Sequence, residues 1–294
     1  MLDVPVKGPG SLLQSQGLAR MKMPAGNDRK GIRVVITGKG GVGKTTLTAL
    51  LAHHFAGEGF RVLAVDGDPQ QNLAVTLGIP PERADAIVPV ADDAGYVREK
   101  TGAGPGSPSG GLITLNPNVG DVLDRFAVPV SRNLRVLVMG GVRQAGSGCL
   151  CAAYTLLSAI LRRFRLLPED VILLDTPAGL EHFGRALADG FSTALVVAEP
   201  SYNALSVARQ SAKLARDLAI GNVILVVNRV GRQDDEQSIR QTMGDTSAFS
   251  RIILLPDDPA LSGFEPSVKD ILLRESPLTG KLHDLEAIIL EYRR

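Results

Sequence analysis

Seven short apolar runs recur along the chain, and each is a near-continuous stretch of aliphatic and β-branched residues. Such runs are typical of strands that are buried on both faces of a parallel sheet, because strands with one wet face alternate apolar and polar positions. We therefore predict strands at 32–37, 61–66, 134–139, 171–175, 193–199, 222–228 and 251–255.

Longer segments with helical character separate these runs. They include TTLTALLAHHFAGEG, AAYTLLSAILRRF, NALSVARQSAKLARDLA and the terminal LTGKLHDLEAIILEYRR. The alternation of strands and helices predicts an α/β fold, with a doubly wound, mostly parallel sheet and helices on both faces. In such folds, ligands bind at the carboxyl ends of the strands.

Two regions lack the alternation. Residues 1–31 are rich in Gly, Pro and polar side chains, and we interpret them as a flexible N-terminal arm. Residues 79–133 are rich in Pro, Gly and Asp, and we interpret them as a partly ordered insertion on the rim of the sheet. We expect residues 32–294 to form a single domain that contains this insertion.

Composition narrows the functional classes. The formal net charge is +1, so the chain lacks the basic excess that would indicate a nucleic-acid partner. The chain has no run of about 18 apolar residues and no secretory h-region, so we expect no membrane partner. Only two cysteines are present, which favours a reducing compartment and hence a cytoplasmic location.

A glycine-rich segment, GKGGVGKTT, follows the first predicted strand and opens the first long helix. It matches the phosphate-binding pattern G-x-x-x-x-G-K-[ST], in which backbone N–H groups and the helix N-terminus face the phosphates. Lys44 is expected to contact the β- and γ-phosphates of ATP, and Thr45 to bind Mg²⁺. The candidate nucleotide-binding residues of the loop are Gly38, Lys39, Gly40, Gly41, Val42, Gly43, Lys44, Thr45 and Thr46.

Aspartates follow two of the predicted strands. Asp68 lies in VDGDPQQNL after the second strand, where Asp66 ends the strand and is positioned to support it. Asp175 ends the apolar strand in VILLDTP and suits an acid that holds Mg²⁺ through water. Asp is also common in helix caps and turns, but the position of these aspartates at strand ends beside the loop favours a role in the nucleotide site. Thr45, Asp68 and Asp175 form the candidate magnesium site.

The early lysine of the loop, Lys39, makes GKGGVGKT similar to the deviant Walker A motif of the MinD, ParA and nitrogenase iron protein family. The resemblance implies a nucleotide-bridged homodimer in which Lys39 reaches the partner's phosphates, much as an arginine finger does. It also implies that Asp68 positions the attacking water, which makes Lys39, Lys44 and Asp68 the candidate catalytic residues. Asn228 resembles the residue that contacts adenine, and PDDP, which begins at Pro256, resembles the segment that frames the base.

Both cysteines, Cys149 and Cys151, lie in one segment, GSGCLC. The glycines suggest an exposed turn, and a helix follows, whose N-terminus favours thiolates. One pair supplies two ligands and a closed tetrahedral site needs about four, so a twofold dimer would complete a shared Ni²⁺ or Zn²⁺ site. The alternatives are that the spacing of the two cysteines is a coincidence, or that they are buried as small apolar side chains.

Several segments together resemble the CooC-type carbon monoxide dehydrogenase accessory proteins, a family of nickel-insertion ATPases. They include VDGDPQQNLAVTLGI, LVMGGVRQAGSGCLCAA and DTPAGLEHFGRALADG, and the resemblance covers about residues 32–260. It implies a dimer that binds Ni²⁺ or Zn²⁺ at the shared cysteines and helps to mature the carbon monoxide dehydrogenase apoenzyme. The chain departs from the family pattern at Ala152-Ala153-Tyr154 and at Thr176-Pro177, and the latter removes a carboxylate from a switch segment.

Two other functions stay open on the sequence. One is a positioning or partition ATPase that acts on a membrane or DNA, although HDLEAIILEYRR mixes acidic and apolar positions and the chain lacks a dense basic run beyond RRFR. The other is an electron-transfer ATPase with a bridging iron–sulfur cluster. We interpret Glu181 and His182 as a local switch pair, and His53 and His54 as packing or surface residues rather than metal ligands.

Overall fold

A computed structural model describes residues 31–102, 114, 117–140, 151–177, 190–231 and 235–293, with only the backbone described at 151–154 and 262. The predicted N-terminal arm, apart from its last residue, lies outside this range. Cys149 and the Glu181–His182 pair lie outside it too, as does most of the Gly- and Pro-rich stretch of the rim insertion.

One eight-stranded sheet organises the described residues, in the order β3-β4-β2-β5-β1-β6-β7-β8. Every pairing is parallel except that of the short β3 with β4. The predicted α/β fold is confirmed, and all seven apolar runs are strands. The strands are β1 (Ile32–Gly38), β2 (Arg61–Asp66), β3 (Val128–Pro129), β4 (Leu134–Val138), β5 (Asp170–Asp175), β6 (Thr193–Ala198), β7 (Asn222–Val230) and β8 (Arg251–Pro256).

Within the ranges that the structure describes, helices and two short 3₁₀ segments, Val90–Asp92 and Lys269–Leu273, connect the strands. Side-chain caps mark two of the longer helices, since Ser201 accepts from Ala204 N–H and Ser276 forms a capping box with Thr279. The helices are α1 (Lys44–Gly57), α2 (Leu73–Thr76), α3 (Pro81–Asp85), α4 (Ala94–Thr101), α5 (Val122–Phe126), α6 (Cys151–Arg163), α7 (Tyr202–Asp217), α8 (Asp235–Met243), α9 (Ala260–Phe264) and α10 (Pro277–Glu291).

The core lies along the central strands. Every residue of β5 and β6 is buried, which explains why these runs show no alternation of apolar and polar positions. Helix α1 packs on β2 and β5, and the C-terminal helix α10 packs on α1 and β8. The terminal segment therefore packs on the body of the domain, as its mixed acidic and apolar pattern indicates.

The described part of the rim insertion is packed rather than extended. It contains α3, α4, α5 and β3, and it contributes Tyr96 and Val122 to the main core. Asp93 caps α4 by accepting a 2.8 Å hydrogen bond from Tyr96 N–H. The Arg125 guanidinium lies 4.5 Å from the centre of the Tyr96 ring. These elements are too short to show a period in the sequence, so composition alone could not assign them.

Strand register brings the predicted functional residues to one edge of the sheet. Asp66 of β2 pairs with Asp175 of β5, and Ile36 near the end of β1 pairs with the same aspartate. Asp66 also pairs with Val138 at the end of β4. The phosphate loop, the two aspartate segments and the segment that follows β4 therefore all leave the sheet at its carboxyl edge.

Candidate nucleotide site

The phosphate loop joins β1 to α1 through backbone conformations that glycine alone adopts without strain. Gly38 has a φ of +145°, and a Cβ there would collide with the Val197 carbonyl of the neighbouring strand. Gly43 caps α1 with a φ of +94°, and a Cβ there would lie 2.5 Å from the Asn228 side-chain nitrogen. The first N–H groups of α1 consequently face the space in front of the loop.

Lys44 is only 7 % exposed, and its ammonium donates a 3.0 Å hydrogen bond to the Lys39 carbonyl. Burial lowers the pKa of Lys44, and the neighbouring Asp175 and Asp68 carboxylates act against that effect. The ammonium is thus held at the loop, close to both acids. This is the position that a phosphate-binding lysine needs.

Thr45 and Asp175 are in direct contact, because the Thr45 hydroxyl donates a 2.6 Å hydrogen bond to Oδ2 of Asp175. Burial raises the pKa of Asp175 to about 7, while the Thr45 hydrogen bond and the Lys44 charge act in the opposite direction. Among the described residues, Oδ1 of Asp175 has no hydrogen-bond partner. A buried carboxylate with one unpartnered oxygen beside a hydroxyl fits Mg²⁺, which prefers such hard oxygen ligands.

Asp66 and Asp68 organise the segment that follows β2. The fully buried Asp66 accepts 3.0 Å hydrogen bonds from the backbone N–H groups of Asp68 and Leu73. Burial raises the pKa of Asp66 to about 7, and the nearby Asp175 adds to the rise. Asp68 is partly exposed and accepts a hydrogen bond from Gln70 N–H. Asp66 therefore supports the segment that presents Asp68, as its position at the strand end predicts.

A pocket of about 640 Å³ adjoins the loop and is lined by Gly43, Thr46, Asn228 and Pro256, among other residues. The structure thus brings together the two residues predicted to contact the base. The Asn228 side-chain nitrogen, however, donates a 3.0 Å hydrogen bond to the Val42 carbonyl. Asn228 is consequently tied to the phosphate loop, in addition to lining the pocket in which a base would lie.

Arg229 is a residue of the site that the sequence reasoning missed. It has a φ of +58°, an uncommon conformation for a side chain of this size, and it lines the same pocket. Its guanidinium donates a 3.3 Å hydrogen bond to the Gly41 carbonyl and lies 3.7 Å from the Glu199 carboxylate. Its only signal in the sequence is its position next to Asn228.

Lys39 and the cysteines are the remaining predicted residues. The Lys39 side chain is partly exposed, and within the described ranges it makes no hydrogen bond or ion pair. Cys151 is the first residue of α6, but its side chain is not described, and Cys149 lies outside the described residues. The segment that carries the cysteines connects the end of β4, next to Asp66, to the start of α6.

The fold and the loop define a class of protein. A family model described as the CobQ/CobB/MinD/ParA nucleotide binding domain matches residues 33–264, so the chain belongs to this family of nucleotide-binding ATPases. Solved structures show the same architecture. MinD of Aquifex aeolicus has a TM-score of 0.59 at 22 % identity, over 89 % of this chain and 97 % of that one. A ParA family ATPase of Chlorobium tepidum has a TM-score of 0.61 at 18 % identity, over 88 % and 99 %.

Curated relatives give a more particular placement. The chain is 34 % identical to the carbon monoxide dehydrogenase accessory protein CooC of Rhodospirillum rubrum, over 88 % of this chain and 97 % of that protein. It is also 40 % identical to an uncharacterized ATP-binding protein of Methanocaldococcus jannaschii, over 70 % and 77 %. The resemblance to CooC-type accessory ATPases is thereby confirmed. No helix in the described ranges is both long enough and apolar enough to cross a membrane.

Proposed function

We propose that this ATPase works as a homodimer that delivers nickel during the maturation of a carbon monoxide dehydrogenase. The observation that carries the proposal is the relationship to CooC over nearly the whole of both chains, in a protein whose entire cysteine content is one Cys-x-Cys pair. The client is the apoenzyme, and the proposed place of action is the cytoplasm.

The proposed hydrolysis uses the residues at the carboxyl edge of the sheet. Asp68 orients a water for attack on the γ-phosphate, and Lys44 stabilises the charge that spreads over the phosphate oxygens. Thr45 and Asp175 would hold Mg²⁺ beside the phosphates. Mg²⁺, when bound, neutralises part of the phosphate charge. Asp66 positions the Asp68 segment through the two backbone hydrogen bonds that it accepts.

ATP binding is proposed to close the dimer. The Lys39 side chain is partly exposed and forms no ion pair with a described acid, so its ammonium is available to the phosphates of a partner subunit. Cys149 and Cys151 of each chain then supply four thiolates, the number that a closed tetrahedral site for Ni²⁺ or Zn²⁺ needs. Hydrolysis opens the dimer and releases the metal to the client.

The first test is metal stoichiometry on anaerobically purified protein with ATP and Mg²⁺, measured together with the mass in solution. We expect the wild type to hold one more Ni²⁺ or Zn²⁺ ion per dimer than the Cys149→Ser/Cys151→Ser variant does. Ser147→Ala is the matched control, because it alters the same segment and keeps both thiols.

Metal that is absent, or unchanged in the cysteine variant, would reject the shared thiolate site. The protein would then be an ATPase that acts on another partner, as the MinD- and ParA-like relatives suggest. Iron and sulfide in the purified dimer would instead support an electron-transfer role. A dimer that forms with ATP and hydrolyses it with Mg²⁺, but holds no Ni²⁺ or Zn²⁺, would show that the proposed metal delivery fails while the ATPase activity stands.

A further inference from the structure

A second group of metal-ligating side chains lies away from the nucleotide site, between α1 and the C-terminal helix α10. His54, His283 and Glu286 each place one ligand atom within 4.8 Å of the other two. We propose that these three residues bind a borderline divalent cation such as Zn²⁺ or Ni²⁺, at one site per chain. This site differs from the cysteine site in its donor atoms and in needing no second subunit.

The donor set and its spacing fit such an ion. Imidazole nitrogen and carboxylate oxygen are common ligands of Zn²⁺, and imidazole also suits Ni²⁺. Donors placed tetrahedrally about 2.1 Å from an ion lie about 3.4 Å from one another. Nε2 of His54 is 2.7 Å from Oε2 of Glu286, and the His54 and His283 ring centres are 4.4 Å apart. Small side-chain rotations would therefore reach the required geometry.

The position of Glu286 gives a second, independent reason. It lies on the apolar face of α10, between Leu282 and Ile289, and only 11 % of its side chain is exposed. A buried carboxylate is costly unless it is paired. Its partner at 2.7 Å is His54, itself only 8 % exposed. A buried imidazole and a buried carboxylate thus contact each other between α1 and α10, where apolar packing would otherwise be expected.

The helix end also favours a cation. His54 lies in the last turn of α1, where the carbonyl ends of the helix give a partial negative charge. His283 is exposed, so it offers both an entry path and an open coordination position for water. Ten residues separate Lys44 from His54, which is about 15 Å along the helix. The site is therefore distinct from the nucleotide site at the other end of α1.

His54 is buried, in agreement with its interpretation as a packing residue, and the proposed ligand role is added to that interpretation on the basis of a contact that exists only in the tertiary structure. His54 and Glu286 are 232 residues apart in the sequence. The neighbouring His53 behaves differently, because its ring is hydrogen-bonded to the Leu77 carbonyl at 3.0 Å. His53 therefore supplies a matched control on the same helix.

The test is a titration with Zn²⁺, and separately with Ni²⁺, in the Cys149→Ser/Cys151→Ser background without nucleotide. We expect one ion per chain and a rise in the thermal unfolding midpoint with metal. His283→Ala should weaken binding at least tenfold and abolish the thermal shift. His53→Gln should leave both unchanged.

His283 is exposed, so its replacement should not affect folding, and the unfolding midpoint in a chelator checks this directly. Absence of saturable binding in the cysteine-free protein would overturn the proposal. Equal affinity in His283→Ala and its parent would overturn it as well. Because the thiolates are removed throughout, either result leaves the proposed cysteine site to be judged by its own experiment.

Discussion

Replacement of Asp175 by Asn should make the nucleotide-free protein more stable while it abolishes ATP hydrolysis. Asp175 is 1 % exposed, and its carboxylate is held between Thr45 and the charges of Lys44 and Asp68. The substitution keeps the volume of the side chain and removes its charge. The variant therefore separates what the carboxylate does for catalysis from what it costs in stability.

The size of the expected gain in stability follows from the pKa of Asp175. Burial raises the pKa of Asp175 from 3.8 to about 7, so the folded protein holds this proton more tightly than the unfolded chain does. The contribution of the protonated carboxyl to the free energy of unfolding is fully present below pH 3.8 and is lost as the pH rises through about 7. At about 1.4 kcal/mol per pKa unit, ionised Asp175 costs the folded protein roughly 4 kcal/mol.

Asn avoids this cost but accepts a weaker hydrogen bond from Thr45, worth about 1 kcal/mol less. We therefore expect a net gain of about 2–3 kcal/mol at about pH 8, which is roughly 5–10 °C in the unfolding midpoint. The gain should shrink as the pH falls to about 4, where the wild-type carboxyl is protonated in the folded state. Hydrolysis with Mg²⁺ should fall about a hundredfold or more.

Thermal unfolding of the nucleotide-free protein across this pH range, with phosphate release as the activity assay, measures both effects. Asp170→Asn is the matched control at the other end of β5. Asp170 is also buried, and burial raises its pKa too, but its Oδ1 lies 2.6 Å from the Arg61 guanidinium, which would lose this charged partner in the variant. That substitution should lower the free energy of unfolding by about 2 kcal/mol and leave the rate of ATP hydrolysis unchanged. An Asp175→Asn protein that is no more stable than the wild type at about pH 8, or that hydrolyses ATP normally, would refute the reasoning.

Three further substitutions test the loop. Lys44→Ala should abolish ATP binding in calorimetry, because it removes the buried ammonium of the loop, and normal affinity would contradict its role. Lys39→Ala should still bind ATP but lose ATP-dependent dimerisation in light scattering together with turnover, whereas the exposed Lys213→Ala should retain both. Asn228→Ala removes the 3.0 Å hydrogen bond to the Val42 carbonyl and should weaken ATP binding about fivefold to tenfold; unchanged affinity would show that this bond does not order the loop.

The strands and the phosphate loop could be predicted because both are local signals. Strands buried on both faces are continuous apolar runs, and Gly38 and Gly43 lie where the loop needs backbone conformations that other residues avoid. Alternation of strands and helices indicates a parallel sheet, and the carboxyl ends of its strands then share one edge. That rule places Asp68 and Asp175 on the same edge as the loop, and the adjacency of β2, β5 and β1 in the sheet then makes them neighbours.

Tertiary structure decided what depends on burial and on contacts between distant segments. The order of the strands has no signal in the sequence pattern. The two-residue β3 and the packed helices of the rim are too short to show a hydrophobic period. The Thr45–Asp175 hydrogen bond joins residues 130 apart, and the Asn228–Val42 bond joins residues 186 apart. The raised pKa of Asp175 and the pairing of His54 with Glu286 exist because the fold removes these groups from water and places them together. No local pattern encodes that desolvation, since it is set by everything that packs around the residue.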